Sequence, residues 1–365
     1  MVLRSISIED FRNHASTALE FDRGLTVVSG DNGEGKTNLL EAIGWVATLA
    51  SFRGATTDTM INVASDSAVI RVMIEVGGRE QTIEAQLNRR GRNRILVNKQ
   101  PLRKTRDLLG TIRVTVFSPD DLSLVKGGPG ERRRFLDETL SSLHLRHHAD
   151  RADLDRVLRQ RNTVLKQAAG RRGGDIDATL DVWDTKMVQV AERIATDREH
   201  LVECLSPVVE EVYRSLVEDS TRVQMNYRRS WTGELTAVLA EVRDEDIKRR
   251  VTTVGPHRDD LEIVLNGFAS RTHASQGEQR TIALALRLAS QRVITTTIGD
   301  EPIVLLDDVF SELDEQRTRA LMDQLPAVQT ILTTATGSIP EGVLSSLHYR
   351  VSNGLVEPDE AGRSA

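Results

Sequence analysis

Eight consecutive residues, Gly30, Asp31, Asn32, Gly33, Glu34, Gly35, Lys36 and Thr37, have types and spacing suited to holding phosphate. They satisfy G-x-x-x-x-G-K-T. The apolar run Leu25-Thr26-Val27-Val28-Ser29 precedes them, and the helix-forming run Asn38-Leu39-Leu40-Glu41-Ala42-Ile43 follows. Strand, glycine-rich turn and helix is the context in which this pattern is a P-loop. Backbone N–H groups of the turn and of the helix start converge with partial positive charge, which suits the phosphates of a nucleotide. Lys36 is expected at the β- and γ-phosphates, and Thr37 is expected to place its hydroxyl on Mg2+. A chance glycine turn is the plainer alternative, but all four fixed positions and both flanks agree with the P-loop.

A second candidate is "PIVLLDD" at 302–308. Four successive apolar residues suit a strand buried on both faces, and carboxylates at the end of such a strand enter the crevice where open α/β sheets bind ligands. Asp307 is then the partner for Mg2+, and Asp308 is placed to orient or deprotonate a water. Alone, such a pair also reads as a helix cap. A third is "SQGEQR" at 275–280, opening the apolar-patterned stretch "TIALALRLASQRVI". Ser275, Gln276 and Gly277 at a helix N-terminus make a second anion site, although S-x-G-E is equally good capping chemistry. One nucleotide and two phosphate-binding helix ends are reconciled by a two-fold, head-to-tail dimer in which Ser275 and Gly277 of one subunit cap the γ-phosphate held by the other's Lys36.

These residues must be positioned by elements far apart in the chain. Lys36 and Asp307 are separated by 271 positions, more than a compact P-loop domain needs, so a helical arm is expected to be inserted into one head. Residues 1–130 are strand-rich, with Gly77-Gly78 as a hairpin turn. From 131 the pattern changes to helical spacing among many charges, broken at "GRRGGD" and resumed to about 218. That reads as an antiparallel helix pair whose limbs of about forty residues would reach about 60 Å if continuous. After a mixed stretch to about 250, the strings "LEIVLNG", "PIVLLDDVF" and "QTILTTAT" suggest parallel β-α units. The expected fold is α/β, an ABC-type P-loop ATPase head formed by 1–130 and 251–365, with an antiparallel β subdomain at about 66–100. The inserted arm is 131–250.

Composition sets limits on this reading. A net charge of −6 among 365 residues means that any nucleic-acid contact must come from a local patch. Cys204 is the single cysteine, which excludes an internal disulfide. No stretch approaches the roughly eighteen apolar residues of a membrane span. A soluble, cytoplasmic protein without membrane partners is expected.

The strings "GDNGEGKTN", "SQGEQR", "LLDD" and "SELD" resemble the ABC-type heads of SMC-like DNA-repair ATPases. The longer strings "DFRNH", "FSPDDLSLVKGGPGERRRFLD" and "GPHRDDL" resemble the RecF family of bacterial recombination proteins over nearly the whole chain. The resemblance implies ATP and Mg2+ as ligands, an ATP-dependent homodimer, and recognition of gapped or junction duplex DNA. It further implies RecR and RecO-type mediator partners, recombinase loading in recombinational repair and replication restart, and weak, DNA-stimulated ATP hydrolysis. By the same resemblance Arg12 and Asn13 approach the nucleotide, and His14 stands where the family often has Tyr. Transporter-type heads usually have Glu and His where this chain has Asp308 and Thr334, a difference that agrees with slow hydrolysis. The alternative is an ATPase subunit of a nuclease or transporter complex, although no acidic-histidine nuclease constellation is visible. His257 in "GPHRDDL" reads as structural.

DNA contact has a separate signal. From 89 to 106 the sequence holds eight Lys or Arg and no acid. Arg89, Arg90, Arg92, Arg94 and Lys99, on a hairpin, have the footprint of sequence-independent phosphate binding, against the plainer reading of a solvated loop. With aromatics at 4% of residues, base stacking is not expected to dominate, and duplex backbone contact is favoured.

Overall fold

The structure, a computed structural model, describes residues 1–168, 174–217, 221–325, 329–335 and 345–359. Residues 170–173 of the expected break at "GRRGGD", and residues 360–365, lie outside the described residues, while Gly174 and Asp175 begin a helix. The chain divides into two units, one of Met1–Asp121, Ser215–Glu218 and Leu284–Ala365, the other of Leu122–Arg214 and Asp219–Ala283.

In the first unit a six-stranded sheet runs in the order Leu355–Pro358, Leu347–Ser352, Leu25–Ser29, Thr330–Thr334, Ile303–Asp307, Val114–Phe117. All neighbours are parallel except the outermost pair, Leu347–Ser352 with Leu355–Pro358. Ile303–Asp307 and Thr330–Thr334 are buried at every position, as central parallel strands covered on both faces must be. The register sets Ser29 beside Thr334 and Thr333 beside Asp307. The ends of three strands distant in sequence therefore come level where the P-loop begins.

The unit's second sheet is antiparallel, in the order His14–Glu20, Val2–Phe11, Ser67–Val76, Arg79–Asn88, Arg94–Val97, Gln100–Pro101. The subdomain expected at about 66–100 thus shares one sheet with the first two strands of the chain. The inward residues Ile6, Ile8, Ile70, Val72 and Ile83 pack in one core with Leu39, Leu40, Ile43 and Trp45 of the P-loop helix Lys36–Thr48. Alternation in these strands supplies one apolar face, and the helix covers it.

The second unit holds the helices Pro129–Leu143 and Leu145–Gln167 and, up to Arg214, the 44-residue helix Gly174–Val217. The expected first limb is two helices, because His144 adopts extended backbone at φ −136°. Leu154 and Val157 of one limb pack with Met187, Val190, Ala191 and Ile194 of the other, and with Trp231, Leu235 and Leu239. Asp260–Leu265 corrects a sequence reading. It pairs antiparallel with Val223–Arg228 and Phe268–Ala269 in a separate three-stranded sheet, not in a parallel β-α unit. Its burial alternates, whereas that of Ile303–Asp307 is continuous, and only the continuous pattern marks a strand with both faces covered. The unit consequently extends to Ala283, beyond the boundary expected near 250.

Candidate functional site

The candidate phosphate cradle is the turn between Leu25–Ser29 and Lys36–Thr48, and its backbone accepts only glycine at two corners. Gly30 has φ 150°, and a Cβ there would lie 2.3 Å from the Val351 carbonyl oxygen. Gly35 has φ 121°, and a Cβ there would lie 2.8 Å from the Asn13 amide. Neither position has space or backbone freedom for a side chain. Lys36 is buried and folds back over the turn, its Nζ donating to the Gly30 and Asp31 carbonyls at 2.6 and 2.8 Å. Burial lowers its pKa, and the carboxylates of Asp308, Asp307 and Asp31 oppose that effect. Its ammonium is thus held by loop carbonyls that phosphate oxygens could replace.

Across the cradle the Thr37 hydroxyl donates to Asp307 Oδ1 at 2.7 Å, and the Thr333 hydroxyl donates to the same oxygen at 2.9 Å. Asp307 is 6% exposed, and burial pushes its pKa up against those two hydrogen bonds. Its direct partners are hydroxyls rather than cations, so its charge is only partly compensated. A hydroxyl and a carboxylate side by side are oxygen donors of the kind that Mg2+ takes, together with several waters. Asp308 follows in left-handed backbone at φ 48°, fixed by its N–H to the Thr333 carbonyl and hydroxyl at 3.2 and 3.0 Å. A non-glycine residue held in that region at a strand end is the sort of strain found at functional sites.

Several supporting residues have partners that only the fold reveals. The Asn13 side chain donates to the Glu34 carbonyl at 2.7 Å and accepts from Asn38 at 2.8 Å. His14, fully buried, lies 3.0 Å from the Gly35 carbonyl through one ring nitrogen and 3.0 Å from the Gly354 carbonyl through the other. The Gly354 N–H donates to the Glu34 carbonyl at 3.0 Å, and the Glu34 carboxylate accepts from the Asn353 N–H. Arg53 donates to Asn38 Oδ1 at 3.3 Å, close enough for its charge to act on Asp307. The dipeptide Asn353-Gly354, which the sequence reading did not single out, sits against the P-loop through its two contacts with Glu34. Asp31, Asn32 and Gly33 form the exposed rim of the cradle.

In the second unit, Ser275 and Gln276 are exposed at the start of the helix Gln276–Ile298. The Ser275 N–H donates to the Glu278 carboxylate at 2.6 Å, and the Ser275 hydroxyl accepts from the Glu278 N–H at 3.3 Å. That is a reciprocal capping box. The single chain therefore uses this serine as a helix cap, while Gly277 leaves the helix end approachable. "GPHRDDL" is structural throughout. His257 faces the Thr252 carbonyl at 3.1 Å, Asp259 accepts from the Tyr227 hydroxyl at 2.5 Å and the Ser230 N–H at 2.7 Å, and Asp260 is gripped by Arg132 at 2.7 and 2.9 Å. Burial pushes His257 down to about 4. Arg133 donates to the Asp259 carbonyl at 2.6 Å, so Arg132 and Arg133 are internal wiring, whereas Arg134 is exposed and pairs with Glu131 of its own helix at 2.9 Å.

The basic hairpin divides into two classes. Arg90, Arg92, Arg94 and Lys99 are exposed. Arg89 is not a free phosphate ligand, as the sequence suggested: its guanidinium donates to Asp58 at 2.5 Å, to the Asn62 carbonyl at 3.0 Å and to the Ser65 carbonyl at 3.2 Å. Sequence shows the charge at 89 but not the carbonyls that surround it. Among the described residues, no helix is long and apolar enough to cross a membrane, and no group of three or more His, Cys, Asp or Glu could hold a metal ion.

A family model described as the RecF/RecN/SMC N terminal domain matches residues 2–346. A DNA replication and repair protein RecF of Streptomyces avermitilis is 39% identical over 373 residues, covering 98% of this chain and all of its own. One of Rhodococcus erythropolis is 39% identical over 378 residues, covering 95% and 92%. A solved structure described as "the recombination mediator protein RecF-ATP in RecFOR pathway" superposes with TM-score 0.88 at 29% identity, covering 98% of this chain and 99% of its own. An Smc head bound to a winged-helix domain of ScpA, at TM-score 0.57 and 16% identity, shares the fold.

Proposed function

The chain belongs to the RecF family of SMC-like ABC-type ATPases, and from that membership we propose that it is a cytoplasmic, ATP-switched DNA-binding protein of replication and recombinational repair. The observation that carries this reading is the hydrogen bond between the Thr37 hydroxyl and Asp307, 270 residues apart and 2.7 Å from donor to acceptor. A P-loop threonine and a buried strand-end carboxylate sharing one proton have the positions that phosphate-bound Mg2+ requires.

The chain's own groups then act as follows. N–H groups of the turn at 30–35 and of the helix start bind the phosphates, with Asn38 in the first turn holding Asn13 against the loop. Lys36 exchanges its two carbonyl partners for β- and γ-phosphate oxygens. Thr37 and Asp307 would hold Mg2+, which when bound would neutralise phosphate charge. Asp308 orients the attacking water; a short carboxylate reaching past Asp307 agrees with slow turnover that resets a switch. Ser275, Gln276 and Gly277 of a second copy close over the γ-phosphate, the capping box at Ser275 opening to release its hydroxyl.

On the same reading Arg90, Arg92, Arg94 and Lys99 bind the backbone of duplex DNA at gaps or single-strand/double-strand junctions, and RecR and RecO-type mediators are the partners in loading recombinase. The test is nucleotide affinity measured with a fluorescent ATP analogue. Lys36→Met should weaken it at least tenfold, by analogy with a lost charge-assisted hydrogen bond of about 1.5–3 kcal/mol. Unchanged affinity would remove the P-loop assignment.

A further inference from the structure

Residues 57–65, between the P-loop helix and the second strand pair of the antiparallel sheet, are gripped by an arginine on each side. On the nucleotide side, Arg12 makes a two-pronged contact with Glu41 of the P-loop helix, 2.9 Å to each oxygen. The Glu41 carboxylate is wholly buried and also accepts from Ser51, so Arg12 cannot leave without stranding a charge in the core. Arg12 also donates from its guanidinium to the Thr59 carbonyl at 2.9 Å and from its N–H to the Met60 carbonyl at 2.8 Å, while Asn62 returns a side-chain bond to the Arg12 carbonyl at 2.9 Å.

On the other side stands Arg89, the first residue of the basic loop. All three of its guanidinium nitrogens are engaged by Asp58, Asn62 and Ser65, and its N–H donates to the Asp66 carbonyl at 2.9 Å. Asn62 therefore touches both arginines. The loop beyond Arg89 is short and pinned, with the Asn88 side-chain amide donating to the Arg92 carbonyl at 2.8 Å and the Asn88 backbone N–H donating to Asn93 Oδ1 at 3.1 Å.

We propose that Arg12 and Arg89 make residues 57–65 a strut that ties the P-loop helix to the basic loop, and that Arg89 is a positioning residue for DNA binding rather than a phosphate contact. The proposal rests on the nucleotide and DNA reading above. Its physical basis is that a short segment hydrogen-bonded at both ends carries displacement between its anchors, so a shift of the P-loop helix on nucleotide binding is passed to the loop that presents Arg90 and Arg92.

Two variants test it, Arg89→Gln, which keeps length and loses charge, and Asp58→Asn, a change at a carboxylate 61% exposed that the fold tolerates. Hydrogen exchange followed by mass spectrometry is read with and without ATP and Mg2+. In the wild type, nucleotide should slow exchange at 30–37, at 57–65 and at 89–94. In both variants the protection at 89–94 should be lost while that at 30–37 persists. A salt titration of duplex binding by Arg89→Gln should show weaker binding at an unchanged slope. Protection at 89–94 that survives in both variants overturns the strut and leaves the nucleotide reading standing. A slope lowered by about 0.9 makes Arg89 a phosphate contact and overturns its positioning role. Absence of any protection at 30–37 in the wild type overturns the nucleotide reading and the strut together.

Discussion

At Asp307 one oxygen accepts two hydroxyl hydrogen bonds in a buried setting, and burial raises the carboxyl's pKa. A proton therefore competes with Mg2+ at a higher pH than it would at a free aspartate. Mg-ATP affinity should fall as pH drops through that raised value and recover as pH rises above it. Asp307→Asn should bind Mg-ATP weakly at every pH and lose the dependence, as measured by nucleotide titration between pH 4.5 and 8; a pH-dependent variant would assign the titration to another group. Asp308→Asn should retain nucleotide affinity while slowing hydrolysis, with ATP-bound dimers persisting, and undiminished turnover would place the water-orienting group elsewhere. Lys36, Thr37 and Asp307 were legible in the sequence because each is fixed by spacing to a strand end or a helix start. Asn13 and His14 entered only by family resemblance and Thr333 and Arg53 not at all, since Thr333 meets Asp307 through the register of the parallel sheet and the others meet the P-loop across long intervals of sequence.

Among the elements, the basic hairpin makes the sharpest prediction. Arg90, Arg92, Arg94 and Lys99 are exposed on it, so each is available to neutralise one phosphate. Arg92→Ala with Arg94→Ala should lower the slope of log K against log salt by about 1.8, weaken all duplex sequences alike and leave ATP affinity unchanged, read by fluorescence anisotropy. Equal slopes would make the run a solvated surface. In the second unit, burial holds His257 neutral down to about 4, below the roughly 6.5 of an unfolded histidine. A depressed folded-state pKa means that this group's stabilisation is present above pH 6.5 and is lost as pH falls toward 4. His257→Gln should accordingly show a shallower decline in melting temperature between pH 6.5 and 4 than the wild type, followed by circular dichroism. The strand Asp260–Leu265 shows where element reading stopped: its alternation was visible as β, but pairing with Val223–Arg228 is a long-range choice that local pattern does not encode.

At the scale of the whole molecule, the P-loop lies in one unit and Ser275 in the other, and the dimer reading joins the cradle of one copy to the helix end of a second. In the single chain that helix end is closed by its own capping box, a contact worth about 1 kcal/mol, small against the charge-assisted bonds a γ-phosphate would offer. The sequence signalled the inserted helical arm by the long interval between Lys36 and Asp307. It did not signal the arm's buried wiring, in which Arg161 meets Asp184 and Asp246 at 2.6 Å each and Arg198 meets Asp137 at 2.8 Å, because partners tens of residues apart leave no local pattern. Sedimentation velocity of the wild type and of Ser275→Arg, each with and without ATP and Mg2+, tests the switch most directly. The wild type should pass from the 40.5 kDa monomer to a species of twice that mass only when nucleotide is present, and Ser275→Arg should bind nucleotide yet remain monomeric. A wild type that binds ATP without changing mass, or a variant that dimerises as the wild type does, would contradict it.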